Sequence, residues 1–437
     1  MTMIRPETEM KDSGVQWLGN VPKEWNVGKV KHEFYATKTI VGDKVNDYER
    51  LALTLNGVIK RSKDAGDGLQ PEKFDGYQIL KEHELVFKLI DLANVSTSRV
   101  GLSPYTGIVS PAYIVLHHRK DMNPRYGEYY FLSMWMNEVF NHIGGDGVRS
   151  ALNAKDLLNI PYLKVSPDEQ QAIADYLDET CSKIDEIIAE AKASIDEYKE
   201  LKQSVIFEAV TKGLNKNVVM KDSGIEWIGR IPKHWSLVKS NRFITSTQNG
   251  ISRRDLEKST GNIVLKLRNI TEIGEIDYSY TNRIELSNKE FKNYILQIGD
   301  LLFVRVNGSK ALVGKCAIFN GNNEPVAYND HIIRVQINKF CVGEYFKWYL
   351  LSQSGKTEIA LHINTSAGQY TISGQGLKDI YVSLPPIHEQ ENIIMFLGNK
   401  CKQIDSLIAE KESLINDLEA YKKSLIYEVV TGKRRVV

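Results

Sequence analysis

Basic side chains lie beside turn-forming residues at two distant places in the sequence, 60–63 and 305–310. Arginine can bond guanine through two donors, asparagine or glutamine can bond adenine, and lysine or serine can hold a phosphate oxygen. Gly308 would let the backbone approach a duplex closely. We therefore predict DNA-contacting surfaces in both halves of the chain. The predicted contact residues are Lys60, Arg61, Lys63, Lys88, Ser98, Arg99 and Arg149 in the first half, and Arg253, Arg254, Arg268, Asn269, Arg305, Asn307, Ser309, Lys310, Gln369 and Tyr370 in the second.

Any one of these residues is more often a surface residue or an ion-pair partner than a base reader, so we expect roughly a third of them to touch DNA. A further basic run, 117–120, is typical of a solvated strand end.

Signatures of an active site are incomplete. Residues 308–315 resemble a phosphate-binding loop, but five residues separate its glycines where four are required, and Cys316 stands where Ser or Thr would bind magnesium. Pro385-Pro386 lacks the flanking residues of an adenine methyltransferase site. Two Glu-x-Lys patterns within 197–202 resemble a nuclease motif but lie in a mixed-charge run typical of a solvated helix face. We predict no catalytic site in this chain.

Composition narrows the class of protein. The formal net charge is only +1, so a DNA-binding surface must be a local patch or must be shared with partner subunits. The four cysteines (181, 316, 341, 401) form no CxxC or Cys/His cluster, and we predict reduced thiols and no metal site. The sequence shows no signal peptide and no membrane-spanning run, so we expect a cytoplasmic protein without a membrane partner.

A long amphipathic helix is predicted from about Pro167 to Gly213. Apolar or small residues recur at steps of three, four and seven, and no Pro or Gly interrupts residues 168–212. Such a rod would be on the order of 65 Å long, and its narrow seam needs a partner helix. The same pattern returns 220 residues later. The predicted seam residues are Ile173, Leu177, Ile184, Ile188 and Ile195 in the first helix, and Ile393, Leu397, Ile404, Ile408, Ile415 and Leu418 in the second.

The chain is a tandem duplication. Residues 10–25 (MKDSGVQWLGNVPKEW) return at 220–235 (MKDSGIEWIGRIPKHW), and Glu169-Gln170 returns as Glu389-Gln390. One heptad run alone is typical of an ordinary core helix, but two matched copies favour a paired coiled coil. The glycines, proline and tryptophans of the opening motifs favour a packing role, since tryptophan can anchor a segment that lacks a core.

Between opening motif and helix, each half predicts a compact α+β domain. Strands are predicted at 51–55, 84–90 and 107–116 in the first half, and at 262–270, 300–306, 315–320 and 331–337 in the second; helices are predicted near 127–140 and 343–353. The predicted domains are 1–165, a long helix at 166–213, 214–385, and a second long helix at 386–437. The shared frame and divergent inserts predict one scaffold that presents two different readers.

These features together resemble the specificity subunit of type I restriction-modification systems, over essentially the whole chain. The resemblance is carried by the two opening motifs, by NIPYLKVSPDEQQ and DIYVSLPPIHEQE before the helices, and by the helix ends SVIFEAVTKG and SLIYEVVTGK. GDLLFVRVNGSKALVGK is similar to a target-recognition segment of this family. One departure, Val165-Ser166-Pro167 against Pro385-Pro386-Ile387, concerns only the local turn.

The resemblance implies two α/β target-recognition domains separated by two long antiparallel coiled-coil helices, in a tandem-duplicated, pseudo-twofold α+β fold. Each domain would read one half of a split, asymmetric site in double-stranded DNA. The helices would space the readers and dock two methyltransferase subunits, and restriction/translocase subunits would join them. No cofactor is implied in this chain, whereas S-adenosylmethionine, ATP and magnesium would belong to the partner subunits.

Two other functions remain open at this point. One is a coiled-coil scaffold that assembles proteins without recognising DNA, and binding of random duplex DNA would separate the two. The other is a single-chain enzyme fused to a recognition domain, which the incomplete motifs disfavour.

Overall fold

The computed structural model describes residues 3–63, 73–90, 92, 100–143, 151–253, 260–271, 273–366 and 368–436. The elements of the first half are β1 Met3–Ile4, β2 Met10–Asp12, β3 Asn20–Pro22, β4 Asn26–Lys29, α1 Val30–Glu33, β5 Phe34–Ala36, β6 Arg50–Thr54, β7 Gly57–Arg61, β8 Gln78–Leu80, β9 Leu85–Phe87, β10 Val100–Leu102, β11 Gly107–Val109, β12 Ile114–His118, α2 Pro124–Met136, α3 Val139–Ile143, α4 Ala154–Asn159, β13 Pro161–Lys164 and α5 Pro167–Lys212.

The second half repeats the plan with a longer insert. Its elements are β14 Met220–Asp222, β15 Arg230–Pro232, β16 Ser236–Lys239, β17 Ile244–Asn249, β18 Asn262–Leu265, β19 Asn282–Ile284, α6 Asn288–Tyr294, β20 Leu301–Val304, β21 Val306–Asn307, β22 Cys316–Ile318, β23 Val326–Tyr328, β24 Ile332–Ile337, α7 Gly343–Leu351, α8 Gln353–Leu361, β25 Asn364–Ser366, β26 Gln369–Thr371, α9 Gly374–Lys378, β27 Tyr381–Leu384, α10 Ile387–Val430 and β28 Arg434–Arg435. Short 3-10 helices lie at Glu7–Glu9, Gly42–Asp47, Ser240–Arg242, Leu267–Asn269 and Lys310–Leu312.

The chain forms two compact units. The first unit is Met1–Lys192 with Glu412–Val437, and the second is Ala193–Lys411. Each unit therefore combines one α+β insert with the start of one long helix and the end of the other. Among the described residues, no helix has both the length and the apolar character that crossing a membrane requires.

The first unit contains two four-stranded sheets, ordered β10-β9-β12-β5 and β7-β6-β11-β8. Buried aromatic rings join the first sheet to α2 and β13, where Phe34, Phe87, Phe131 and Tyr162 make edge-to-face and tilted contacts. Gly127 in α2 permits this approach, because a Cβ atom there would lie 2.8 Å from the ring of Phe34. The sheet and α2 thus form one core.

The second unit contains sheets ordered β17-β24-β20-β22, β19-β18-β23 and β21-β26-β25. Its main core joins β20 and β24 to α7 and to both long helices, so that Phe303, Val335, Phe346, Val210 and Leu397 belong to one cluster. The long helices are therefore part of the core of the unit, which explains why their apolar residues are not confined to a coiled-coil seam.

The predicted strands and helices are confirmed in outline and differ in detail. The predicted strand 107–116 is two strands, β11 and β12, because Pro111 lies between them. The predicted helix 127–140 begins earlier and breaks in two after Met136, where Glu138 takes a left-handed conformation with φ of 57°. The fold class, α+β inserts carried on two long helices, is confirmed.

The long helices run antiparallel within each unit. In the first unit Lys422 of α10 pairs with Asp185 of α5 at 2.6 Å, and in the second Lys202 of α5 pairs with Asp405 of α10 at 2.7 Å. Lys202 is the lysine of the second Glu-x-Lys pattern. Its ion pair with Asp405 gives this lysine a role in joining the two helices. All predicted seam residues are buried except Ile408 and Leu418, which are half-buried.

The first turn of each long helix fastens the opening motif of its unit. The indole N–H of Trp25 donates to Oε2 of Glu169, and that of Trp235 donates to Oε2 of Glu389, both at 3.0 Å. Each tryptophan also packs against the end of the other long helix. Gly432 (φ 70°) has no room for a Cβ atom beside Pro22 and Trp25. The packing role predicted for the opening motifs is confirmed.

A buried glutamine fastens each helix to its insert. Oε1 of Gln390 accepts from the backbone N–H of Val342, and its Nε2 donates to the carbonyls of Phe340 and Pro385. In the first unit, Gln170 accepts from the N–H of Asn123 and donates to the carbonyl of Val165. Both glutamines thus tie the start of a long helix to the start of the insert helix, α7 or α2.

The basic run at 117–120 is not simply a solvated strand end, because His117 bonds to Glu84. His117 Nδ1 lies 2.6 Å from Oε1 of Glu84, and both side chains are largely buried. The hydrogen bond to Glu84 raises the pKa of His117, against the effect of burial. Burial raises the pKa of Glu84, but its hydrogen bonds to His117 and to the N–H of Lys81 outweigh burial and leave that pKa below its ordinary value.

We expect Gln390→Leu to lower the free energy of unfolding by about 2–4 kcal/mol, because one backbone donor and two backbone acceptors, partly or fully buried, lose their partner. Denaturant unfolding of the full chain measures this loss. Gln375→Ala, which removes an exposed amide from α9, should change the free energy by no more than about 0.5 kcal/mol. Equal effects of the two substitutions would contradict the role assigned to Gln390.

The ion pair of His117 and Glu84 should make stability depend on pH. Because its pKa is raised, His117 stabilises the fold fully below its ordinary value of 6.5, and this contribution is lost as the pH rises through the raised pKa. Glu84, with a lowered pKa, contributes above 4.5 and loses its contribution as the pH falls through the lowered pKa. His117→Asn should therefore lower the melting temperature more at about pH 5.5 than at about pH 9. His118→Asn is the matched control, and an equal loss at both pH values would refute the pairing.

Candidate nucleic-acid interface

Two predicted contact segments that lie far apart in the sequence meet in one small sheet of the second unit. In this β21-β26-β25 sheet, Asn307 pairs with Tyr370, and Tyr370 pairs on its other side with Thr365. The backbone continues the contact, since the N–H of Ile372 donates to the carbonyl of Arg305 at 2.9 Å. The loop after β21 and the hairpin formed by β25 and β26 therefore share one surface.

The segments that build this sheet contain no carboxylate. Residues 301–323 carry Arg305, Lys310 and Lys315 without any Asp or Glu, and residues 359–378 carry Lys378 and likewise no acid. With 55 acidic residues in 437, an acid is expected at roughly one position in eight. These two segments thus carry an excess of positive charge in a chain that is nearly neutral, which favours contact with phosphate.

Some side chains of the 305–310 loop are hydrogen-bonded within the protein, and others are exposed. Nη1 of Arg305 donates to the carbonyl of Asp330 at 2.9 Å, and the side chain is half-buried. Oδ1 of Asn307 accepts from the N–H of Ser309 at 2.9 Å, which closes a tight turn. Gly308, Ser309 and Lys310 are exposed, and a Cβ atom on Gly308 would meet open space. The loop is fixed at its base and presents Lys310 at its tip.

The hairpin is anchored by one aromatic ring. Tyr370 is half-buried and packs against the core of the unit, whereas its neighbour Gln369 is exposed. Neither side chain has a polar partner among the described residues. One face of the sheet is therefore packed against the core, and its exposed polar side chains are available for contact with a polyanion.

The other candidates of the second unit lie outside this sheet. Arg253 pairs with Glu290 at 3.1 Å, and Arg254 falls outside the described residues. Arg268 is exposed, donates to Oδ1 of Asn282 and lies 5.8 Å from the ring centre of Tyr280. Asn269 is buried, with its Oδ1 bonded to the N–H of Lys266 and its Nδ2 to the carbonyls of Asp277 and Tyr280. Asn269 holds a turn, so we withdraw it as a base reader.

Three of the seven candidates of the first unit, Lys60, Arg61 and Lys63, lie on or just after β7 of the β6-β7 hairpin. Lys60 lies 3.3 Å from Glu49 and above the ring of Tyr105, and Arg61 is exposed at the end of β7. Nζ of Lys63 donates to the carbonyl of Val45 at 2.6 Å. Lys88, half-buried just after β9, is not part of this hairpin. Ser98, Arg99 and Arg149 fall outside the described residues.

The first unit repeats the junction at the base of the small sheet. The N–H of Leu152 donates to the carbonyl of Leu89 at 2.9 Å, as Ile372 does to Arg305. In both units this contact joins a residue just after a core strand to the segment that leads into a short capped helix, α4 or α9. Lys88, next to Leu89, therefore lies at a position that corresponds to the start of the 305–310 segment.

Sequence reasoning missed Asn364. It lies in β25, is exposed, and has no hydrogen-bond partner for its side chain among the described residues. Periodicity could not find a three-residue strand, but the long run without acidic residues on either side of Asn364 was a usable signal.

The described residues show no group of three or more His, Cys, Asp or Glu side chains that could hold a metal ion. All four cysteines are buried as free thiols. Burial raises the pKa of Cys181 to about 11, which makes it a poor nucleophile. The segment that resembles a phosphate-binding loop contains the 3-10 helix Lys310–Leu312, and no long helix begins there.

Comparison with known proteins gives concordant matches. Residues 235–419 match the type I restriction modification DNA specificity domain. The specificity subunit of the type I restriction enzyme EcoKI from Escherichia coli K12 is 27% identical over 299 residues, which is 66% of this chain and 62% of that subunit. The match therefore spans less than two thirds of the length of that relative.

Two solved structures share the fold. A chain from work on complex assembly and conformational transition of the type I R-M system matches with a TM-score of 0.71 at 12% identity, covering 94% of this chain and 99% of that one. The HsdS subunit of Thermoanaerobacter tengcongensis matches with a TM-score of 0.52 at 12% identity, covering 94% and 98%. The domain match and the curated relative agree with the motifs of the sequence: residues 235–419 match a type I restriction modification DNA specificity domain, and the chain is similar to specificity subunits of type I restriction enzymes.

Proposed function

We propose that this chain is the DNA sequence-specificity subunit of a type I restriction-modification complex, and that each insert reads one half of a bipartite, asymmetric site. The observation that carries the proposal is the small sheet of the second unit. It brings open amide, hydroxyl and ammonium groups together from two chain segments that contain no carboxylate. A scaffold without a DNA role would have no need for such a surface.

The two inserts differ in sequence while their frame repeats, and this supports two different half-sites. The test is selection of duplexes from a randomised pool by the full chain, followed by sequencing. A split motif with two unlike halves is the expected result. A bound fraction no richer in any sequence than the starting pool would favour the scaffold function.

The long helices supply a surface for partner subunits. In the first unit Ile187 of α5 and Leu414 and Tyr421 of α10 are exposed, and in the second unit Leu201 of α5 and Leu407 of α10 are exposed. Exposed apolar side chains close together mark interaction surfaces. We assign one methyltransferase subunit to each of these surfaces, and these subunits would bring S-adenosylmethionine. Restriction/translocase subunits, with ATP and magnesium, would complete the complex, and the chemistry would reside in these partners.

We expect Lys310→Ala to weaken DNA binding about equally for all sequences, because Lys310 would contact phosphate rather than a base. The slope of the logarithm of affinity against the logarithm of salt concentration should fall by about 1. Fluorescence anisotropy of the full chain with a labelled duplex at several salt concentrations measures both quantities.

Lys292→Ala is the matched control for Lys310→Ala. It removes the same charge from α6 in the same unit, on a helix that also carries Glu290. Affinity and salt slope should both stay as in the unaltered chain. If Lys310→Ala also leaves the salt slope unchanged, the small sheet is not the phosphate-binding surface.

The helices should act as a ruler between the half-sites. Repeating residues 183–189 after Ala189 and residues 403–409 after Ala409 adds one heptad to each helix and lengthens each by about 10 Å. Both insertion points lie between the ion-pair positions, Asp185 and Lys202 on α5 and Asp405 and Lys422 on α10, so both pairs are retained. The preferred spacer should lengthen by roughly three base pairs.

Selection from a duplex pool with variable spacers measures this change, and the two half-site sequences should stay the same. An insertion into α5 alone makes the two helices unequal in length between the two ion pairs, so that both pairs cannot form together, and should destabilise the chain. Tight binding of the doubly extended chain to the original spacer would show that the helices do not set the distance.

A further inference from the structure

The hairpin of the small sheet presents two amide side chains on one face. Side chains alternate between the faces of a strand, and residues paired across strands point to the same face. Asn364 pairs with Thr371, two residues after Gln369 on the same strand. Asn364 and Gln369 therefore share a face, whereas Thr365 and Tyr370 lie on the other.

Their separation matches the spacing of base pairs. Diagonal neighbours on one face of an antiparallel pair are about 7–8 Å apart. Successive base pairs rise about 3.4 Å along the duplex axis. The two amides are thus placed to meet base pairs about two steps apart. A two-stranded ribbon also fits the major groove of B-form DNA.

Both amides keep a donor and an acceptor available. Reading adenine requires both, because the side-chain oxygen accepts from N6 and the side-chain nitrogen donates to N7. Asn364 and Gln369 are exposed, and neither side chain has a hydrogen-bond partner among the described residues. By contrast, Oδ1 of Asn307 is engaged by the N–H of Ser309.

The surroundings of the hairpin hold its backbone in place. Tyr370 anchors β26 in the core of the unit, and β26 lies between β21 and β25. Lys310 stands on the neighbouring loop as a phosphate contact. Base reading needs this combination of a fixed backbone and a charge that sets the register on the duplex.

We propose that Asn364 and Gln369 are base-reading residues of the second unit and that each recognises an adenine in the major groove of one half-site. This inference rests on the proposed function and deepens it, because it assigns part of the target: two adenines about two base pairs apart. Arg305 is not part of this assignment, since one N–H of its guanidinium donates to the carbonyl of Asp330.

The experiment compares the full chain with Asn364→Ala and Gln369→Ala by selection from a pool of randomised duplexes. Each substitution removes one adenine contact from an exposed position and should leave the fold intact, which circular dichroism verifies. We expect the preference for adenine to fall about 5- to 150-fold at a single base pair of one half-site. The position affected by Asn364→Ala should differ from the one affected by Gln369→Ala.

Two further variants sharpen the comparison. Thr365 lies on the same strand as Asn364 but on the opposite face. Thr365→Ala should therefore leave the sequence preference unchanged. Gln369→Glu replaces the donor with a carboxylate, which accepts from N4 of cytosine. At the base pair where Gln369→Ala weakens the preference for adenine, Gln369→Glu should therefore replace that preference with one for cytosine.

The outcomes separate this inference from the proposed function. If the unaltered chain enriches no motif, both fail. If it enriches a split motif that Asn364→Ala and Gln369→Ala leave unchanged, the base-reading assignment is wrong while the proposed function stands. A uniform loss of affinity for all sequences would assign the two residues to phosphate contact and would also overturn the inference.

Discussion

One buried amide at the start of each long helix holds the architecture together. Gln390 bonds three backbone groups from the segments before α7 and α10, and Gln170 does the same work in the first unit with two. A buried backbone donor or acceptor without a partner costs more than a single hydrogen bond contributes. The position of each insert on its helix is therefore strongly constrained, and the glutamate beside it, Glu169 or Glu389, adds the tryptophan of the opening motif to the same joint.

This joint explains how one scaffold can carry two different inserts. The opening motif, the helix start and the helix end form a repeated frame, and the insert between them is attached through the start of α2 or α7. Residues beyond that attachment can change without disturbing it. In the second unit the insert forms a small sheet with exposed polar side chains. Packing of Tyr370 against the core and the hydrogen bond from Ile372 to Arg305 hold the base of this sheet in place.

Charge is also distributed unevenly along the chain. The net charge of +1 conceals two segments of the second unit that contain no carboxylate, whereas other basic residues of that unit are paired, as Arg253 is with Glu290 and Arg283 with Glu324. A local field of one sign is what attracts a polyanion, whereas paired surface charges contribute little at a distance. Candidate residues are therefore distinguished by what surrounds them rather than by their type.

The sequence alone determined the duplication, the two long helices and most seam residues, because a seam of fixed period and a repeated motif are local patterns that survive any change of context. It also indicated the two segments that form the small sheet. Only the tertiary structure decided which candidates are open and which are held: Asn269 is buried in a turn, the guanidinium of Arg305 is tied to a carbonyl, and His117 is paired with Glu84. It alone placed Asn364 beside Gln369. Those outcomes depend on contacts between residues distant in sequence, and burial and pairing arise from such contacts rather than from the residue itself.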